Sequence, residues 1–192
     1  MFIMIKKYLL GITFLLVTFF SINCVSSQQA PYQITSQPLI AKDGAIIEAE
    51  EREMIRALVP FFTAITNKDV KTIKEINPGL RHLPDEQLLA NFVSVKSYTL
   101  QGLENVSYDG EKLRAVVLYS AELIKPGRIG RNIAPYQSNI GIEREGETWV
   151  IREWTQIKGE GSDMNYFIDI LSRFDKAEKR YGVKDLSKWD GL

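Results

Sequence analysis

The chain has 192 residues, with 24 Lys and Arg against 24 Asp and Glu, one His and one Cys. That length suits one ordinary domain with flanking segments, and the mix of charged and hydrophobic residues excludes disorder of the whole chain. Balanced charge argues against a dedicated nucleic-acid binder, and a single cysteine excludes an intramolecular disulfide and a cysteine-based zinc cluster.

Residues 1–23 have the proportions of an export signal. Lys6 and Lys7 form a short positive region, and Tyr8 to Ile22 form an uncharged, largely apolar run. That run is about 15 residues long, short of the ~20 that a spanning helix needs. An uncleaved N-terminal anchor is the alternative. The run ends at Ser21-Ile22-Asn23-Cys24, which resembles the lipobox of bacterial lipoproteins, where the cysteine becomes the lipidated first residue. The usual box has Leu at −3 and Gly, Ala or Ser at −1, where this chain has Ser21 and Asn23. Lipidation at Cys24 also accounts for an unpaired thiol in an exported protein. The expected address is therefore the bacterial cell envelope, on the periplasmic face or the outer membrane, with the lipid as the membrane contact. Removing residues 1–23 takes away Lys6 and Lys7 and no acid, leaving 22 cations, 24 anions and a net charge of −2. No polybasic segment follows the signal. Residues 24–46 are expected to be a lipidated tether, flexible over residues 25–44, where Ser, Gln, Pro31 and Pro38 occur without periodicity.

From Ile47 the apolar spacing becomes helical, through Met54, Ile55, Leu58, Phe61, Phe62 and Ile65. Glu48, Glu50, Glu51 and Glu53 favour its N-terminal half, and Pro60 predicts a kink. Asn67-Lys68-Asp69 breaks the pattern, and Asp69 caps a second helix carrying Val70, Ile73 and Ile76. Asn77-Pro78-Gly79 ends it, and Pro84-Asp85 opens a third helix through Leu88, Leu89, Phe92 and Val93.

After Lys96 the period becomes two. Strands are predicted over Tyr98–Tyr108 and Glu111–Ile124, joined through Asp109-Gly110, and over Tyr136–Arg144 and Thr148–Ile157, joined through Glu145-Gly146-Glu147. Helical block followed by meander is an α+β arrangement. Residues 162–181 return to helical spacing, with Met164, Phe167, Ile168, Leu171, Phe174 and Tyr181 as the expected buried stripe, Ser162 as N-cap and Gly182 just past the C-terminus. Trp189 is expected to dock.

Three passages resemble the NTF2-like superfamily, the cone fold of ketosteroid isomerase and polyketide-cyclase-like proteins. They are Leu58 to Ile65 with the break Asn67 to Val70, the apolar strand after a tight hairpin, and Glu147-Thr148-Trp149-Val150-Ile151. The resemblance runs from about Glu48 to Ile157. It implies a domain over residues 47–158, three helices against a curved antiparallel sheet of about four strands, with residues 159–192 packed on it. It also implies a cavity on the concave face and, in many members, a dimer through the sheet.

Alternation assigns Leu113, Ala115, Val117, Tyr119, Ala121 and Leu123 to the inner face. The same holds for Tyr136, Ser138, Ile140 and Ile142, for Trp149 and Ile151, and for Tyr98 and Leu100. Continued parity puts Glu153 and Thr155 inside, and Arg152 and Trp154 outside. The expected ligand pocket is Tyr98, Tyr119, Tyr136, Ser138, Trp149 and Glu153, suited to a small apolar molecule. A carboxylate among aromatic walls would have a raised pKa, and beside a phenol it would resemble the general base and donor of the related isomerases. The catalytic alternative is therefore Glu153 as base with Tyr119 as donor. The plainer reading, favoured for want of a motif, is a solvated Glu153 at the rim paired with an arginine. A non-catalytic ligand-binding or interaction module is thus the expected function, with outward Leu118, Ile124 and Trp154 serving a homodimer.

His82 reads as a solvated loop residue, and no metal site is expected. Lys125 to Arg131 is a basic, glycine-punctuated loop that reads as a solvated hairpin loop; it lacks the setting of a phosphate loop. Gly-x-Ser-x-Gly, His-Glu-x-x-His and Gly-x-Gly-x-x-Gly are absent, and no cofactor is implied.

Overall fold

The computed structural model describes residues 33–34, 37–126, 131–159 and 164–192. The signal segment, Cys24, Ser162 and the centre of the basic loop lie outside the described residues. The architecture is α+β: helices α1 (Ala49–Asn67), α2 (Val70–Ile76), α3 (Asp85–Ala90) and α4 (Met164–Tyr181) accompany strands β3 (Val95–Tyr108), β4 (Lys112–Leu123), β5 (Ile133–Glu145) and β6 (Thr148–Lys158). These four strands form one antiparallel sheet in the order β3-β4-β5-β6. Two strands of two residues, β1 (Leu39–Ile40) and β2 (Ile46–Ile47), pair separately.

That small hairpin corrects the tether boundary. Ala41 and Ile47 are buried in the core, Lys42 N–H donates to the Arg180 carbonyl at 2.9 Å, and Arg52 donates to the Gln37 carbonyl at 2.8 Å. The stretch from Gln37 is therefore held to the domain, because Ala41 and Ile47 supply apolar surface that the polar composition around them masked.

Helix α1 buries Met54, Ile55, Leu58, Phe61, Phe62 and Ile65 along one stripe, while Pro60 lies on its exposed side. It ends at Lys68, whose φ of 58° turns the chain, and the Lys68 ammonium donates to the carbonyls of Phe92 and Val95 at 2.7 and 3.0 Å. One residue thus closes a helix and fixes the entry of β3. Asp69 caps α2 by accepting from Thr72 N–H at 3.2 Å. Helix α3 is shorter than predicted: Leu88 is buried, whereas Val93 lies beyond the helix and is 70% exposed.

The sheet bends. Strand β3 has three register shifts and β6 has two, and each inserted residue adds local twist. Its inner face packs on α1. Leu113, Ala115, Val117, Tyr119, Ile140, Ile142 and Ile151 join the α1 stripe in the main core, as alternation predicts.

Helix α4 packs on the outer face. Tyr166, Ile170 and Phe174 cover Leu118, with Val116 beside them. The helix crosses β3 at Gly102, where a Cβ would lie 2.6 Å from that of Ala177, so this crossing requires glycine. Arg173 ties the helix to the sheet by pairing with Glu104 of β3 and donating to Gln137 of β5 at 2.9 Å. At its far end Arg180 donates to both oxygens of the buried Glu51 at 2.9 and 2.7 Å, and Tyr181 donates to the same carboxylate. Trp189 packs on Tyr181 with ring centroids 5.5 Å apart.

Two expectations are corrected here. Of the stripe expected on α4, Phe167, Phe174 and Tyr181 are buried, joined by Tyr166, Ile170 and Ala177, while Ile168 is 62% exposed and Leu171 lies at the surface. Both spacings are helical, and only the position of the sheet selects between them. The residues Leu118, Ile124 and Trp154 are not exposed as a set: α4 buries Leu118 and Trp154 points inward, leaving Ile124 exposed.

Candidate functional site

The inner face carries an aromatic cluster built from four strands and one helix. Tyr119 of β4 stacks on Tyr136 of β5, with centroids 5.2 Å apart and planes within 10°. Tyr98 of β3 lies 6.4 Å from Tyr119, and Phe92 meets Tyr98 edge-on. Phe62 of α1 lies 5.1 Å from Tyr119, and Trp154 of β6 contacts Tyr119, Phe61 and Phe62. Ser138 is fully buried beside Tyr119, their hydroxyls 3.1 Å apart. Towards one end of the sheet, Val95, Ala121, Leu123 and Ala134 form a separate small cluster against Tyr98 and Tyr136. The pocket set Tyr98, Tyr119, Tyr136 and Ser138 is therefore brought together.

Trp149 and Glu153 are not part of it. Trp149 sits eight residue pairs along the sheet from Tyr136, opposite Arg144, about 26 Å away at the usual strand rise. There its indole N–H donates to Glu53 at 3.2 Å, and its ring meets Tyr108.

Glu153 is displaced by a bulge. Ile151 pairs with Ile142 and Glu153 pairs with Gly141, so Arg152 is one residue too many. Because the side-chain period is two, that insertion exchanges the faces of the residues after it, as far as the second bulge at Ile157. Trp154 comes opposite the inner residue Ile140, and Glu153 is turned outward. Its carboxylate lies across Gly141, where a Cβ would stand 2.9 Å from Oε2, and its side chain is 51% exposed. Lys112 donates to Oε1, and Arg114 stands 3.7 Å from Oε2. The hydrogen bond from Lys112 first, then its charge and that of Arg114, outweighs desolvation and holds Glu153 below the ordinary carboxylate value. The rise that the catalytic alternative requires is replaced by a fall, as the rim reading of a solvated or arginine-paired carboxylate implies. Glycine in the interior of a strand is the one sequence signal that points to such a bulge, and Gly141 is that signal.

The phenols on the inner face are weak acids. Burial raises Tyr119, against the hydrogen bonds from Ser138 and Trp154, and burial raises Tyr98 strongly, with the neighbouring Tyr136 and Tyr119 adding to it. These hydroxyls stay neutral at physiological pH and serve as hydrogen-bonding groups.

Two surface cavities lie elsewhere. One, of about 410 Å³, opens on the outer face between Asn105, Arg114, Asn139, Glu153 and Thr155. The other, of about 470 Å³, lies beside Glu48, Glu50, Glu51, Glu104 and Arg180. His82 is exposed in the turn before α3, and Lys125 is exposed. Among the described residues, no three His, Cys, Asp or Glu side chains are grouped to hold a metal, and no helix is long and apolar enough to cross a membrane.

No family model matches the chain, and no curated protein matches it. Among solved structures, a putative aromatic ring hydroxylase from Novosphingobium aromaticivorans aligns over 60% of this chain and 96% of its own, at 13% identity and a TM-score of 0.39. Nothing about fold or activity transfers at that level of likeness.

Proposed function

We propose that this chain is an exported envelope lipoprotein, attached through Cys24, whose NTF2-like cone is a non-catalytic binding or interaction module. The observation that carries the non-catalytic reading is the position of Glu153. The carboxylate that would act as base lies outside, in ion pairs, and among the described residues the inner cluster offers only neutral hydroxyls to a ligand. Proton transfer next to a carbonyl needs a base within hydrogen-bond reach of the proton, and Glu153 is on the wrong face for that. A wall of stacked rings with few hydrogen-bonding groups instead suits a small apolar molecule. The covering of Leu118 by α4 and the inward turn of Trp154 remove the support for a sheet-mediated homodimer.

Two measurements test this. Metabolic labelling with a fatty-acid analogue should tag the wild type, and Cys24→Ala should lose both label and membrane retention; retained label ends the lipoprotein reading. For the module, the protein extracted from envelopes should carry apolar molecules detectable by mass spectrometry, and Tyr119→Ala should lose them. Equal retention by the variant would take the ligand away from the aromatic cluster.

A further inference from the structure

Antiparallel order brings the start of β3, the end of β4, the start of β5 and the end of β6 to one end of the sheet. Ile124 N–H donates to the Ser94 carbonyl at 3.0 Å, and Leu123 N–H donates to that of Asn132 at 2.6 Å. These bonds hold Val93, Ile124 and Ile133 as neighbours, and the three are 70%, 61% and 54% exposed. Arg131 lies over the ring of Phe167, 4.4 Å from its centroid, which brings the exposed Ile168 to the same end. Lys96, Lys125, Arg131 and Lys158 surround these aliphatic tips, all exposed. The acids there among the described residues, Glu122 and Asp169, face Lys96 and Arg173 in ion pairs.

The opposite end has another character. Its turns carry Asp109, Glu111, Glu143, Glu145 and Glu147 against Lys112, Arg114, Arg144 and Arg152, and expose no large aliphatic side chain among the described residues. The β1–β2 hairpin does expose Ile40 and Ile46, but beside Glu48 and Glu50, with Arg180 bound to the Ile46 carbonyl and to Glu51 and Arg52 bound to the Gln37 carbonyl.

We infer that the isoleucine-tipped, basic end of the sheet rests on an anionic bilayer surface. Val93, Ile124 and Ile133 enter the headgroup region, and Lys125, Arg131 and Lys158 meet lipid phosphates. Aliphatic groups ringed by cations match an interface that is apolar below and negatively charged above. The inference rests on the lipid anchor proposed above, since a few isoleucines give only weak contact alone. Twelve residues separate Cys24 from Gln37. Such a tether reaches about 45 Å at full extension, more than the ~24 Å that α1 puts between Arg52, which holds Gln37, and Lys68 at the basic end, so the anchored domain can set that end on the membrane. Confinement of that kind turns a weak contact into a frequently occupied one.

The test uses the full chain extracted from host membranes, with an environment-sensitive dye attached at Ile124→Cys or, as control, at Glu147→Cys. Vesicles of phosphatidylcholine with one-third phosphatidylglycerol (a composition of about that order) should raise emission at position 124 about twofold or more and leave position 147 unchanged. Lys125→Glu and Arg131→Glu should each weaken the response about fivefold. Equal responses at both positions, no response at 124, or an unchanged response after charge reversal would overturn the docking. So would a rise at 124 with protein concentration in the absence of vesicles, which assigns the patch to self-association. The mass of the unlabelled chain reports separately whether Cys24 carries lipid. In the Cys24→Ser background a response at 124 sustains the surface contact even if the anchor fails, and an acylated chain silent at 124 sustains the anchor alone.

Discussion

The two faces of the sheet use the same four strands for opposite purposes. Inside, rings from β3, β4, β5 and β6 touch each other and α1, so the stabilisation is non-directional and grows with the area removed from water. Outside, part of the surface is covered by α4 and the rest carries a ladder of ion pairs from Asp109–Arg114 through Glu153–Lys112 to Glu143 and Arg152. Exposed pairs of this kind are individually weak and screened by salt. The inner face and the part under α4 therefore set stability, and the uncovered part of the outer face sets solubility and contacts. Neighbouring residues of β6 fall on opposite sides of that division.

Trp154→Ala should give the largest effect. It removes ring contacts to Phe61, Phe62 and Tyr119 and should cost about 3–4 kcal/mol in denaturant unfolding. Thr155→Ala, one residue on and exposed, should stay within about 0.5 kcal/mol. Similar values for the two would erase the division between the faces. Next is the seam where α4 meets α1. Glu51→Ala leaves the Arg180 guanidinium and the Tyr181 hydroxyl without their shared acceptor, and should destabilise by about 3 kcal/mol. Thermal melting checks it, and a loss no larger than a surface substitution would show that water replaces the carboxylate.

The covered half of the outer face should respond slightly less. Ile170→Ala opens a hole above Leu118 and should cost about 2–3 kcal/mol, whereas Ile168→Ala, which faces solvent two residues earlier, should be nearly neutral. The reverse order would restore the stripe through Ile168 and Leu171 that the sequence suggests.

How far the sequence could be read follows from what each feature depends on. Strand β4 keeps strict alternation, and all six residues expected inside, from Leu113 to Leu123, are buried. Helix α1 is as clear, because its stripe is wide and its end is marked by Lys68 and Asp69. Strand β6 is legible as a strand and misread in its second half, since one inserted residue at Arg152 reverses the side chains from Glu153 to Gln156 and leaves no trace in local hydrophobicity. Only Gly141 on the neighbouring strand hints at it. The stripe of α4 depends on which side the sheet lies, a fact of tertiary structure. Parity alone groups the three tyrosines; Phe61, Phe62 and Trp154 join them because α1 and the bulge put them there.

The smallest prediction concerns Glu153 and has the sharpest sign. Lys112 and Arg114 hold its folded pKa below the ordinary 4.5. The unfolded chain therefore binds more protons than the folded one in the window beneath 4.5, and stability rises with pH through it. The contribution is fully present above 4.5 and is lost as pH falls through the lowered folded value. Glu153→Gln removes it, so the variant should be slightly less stable than wild type at neutral pH. The gap should close as pH drops below 4.5, and added salt should shrink it at neutral pH because the pair is exposed. Paired melting curves at neutral and acidic pH, with and without salt, measure all three trends. A variant more stable than wild type at neutral pH would mean a carboxylate that burial penalises, and would return Glu153 to the inner face.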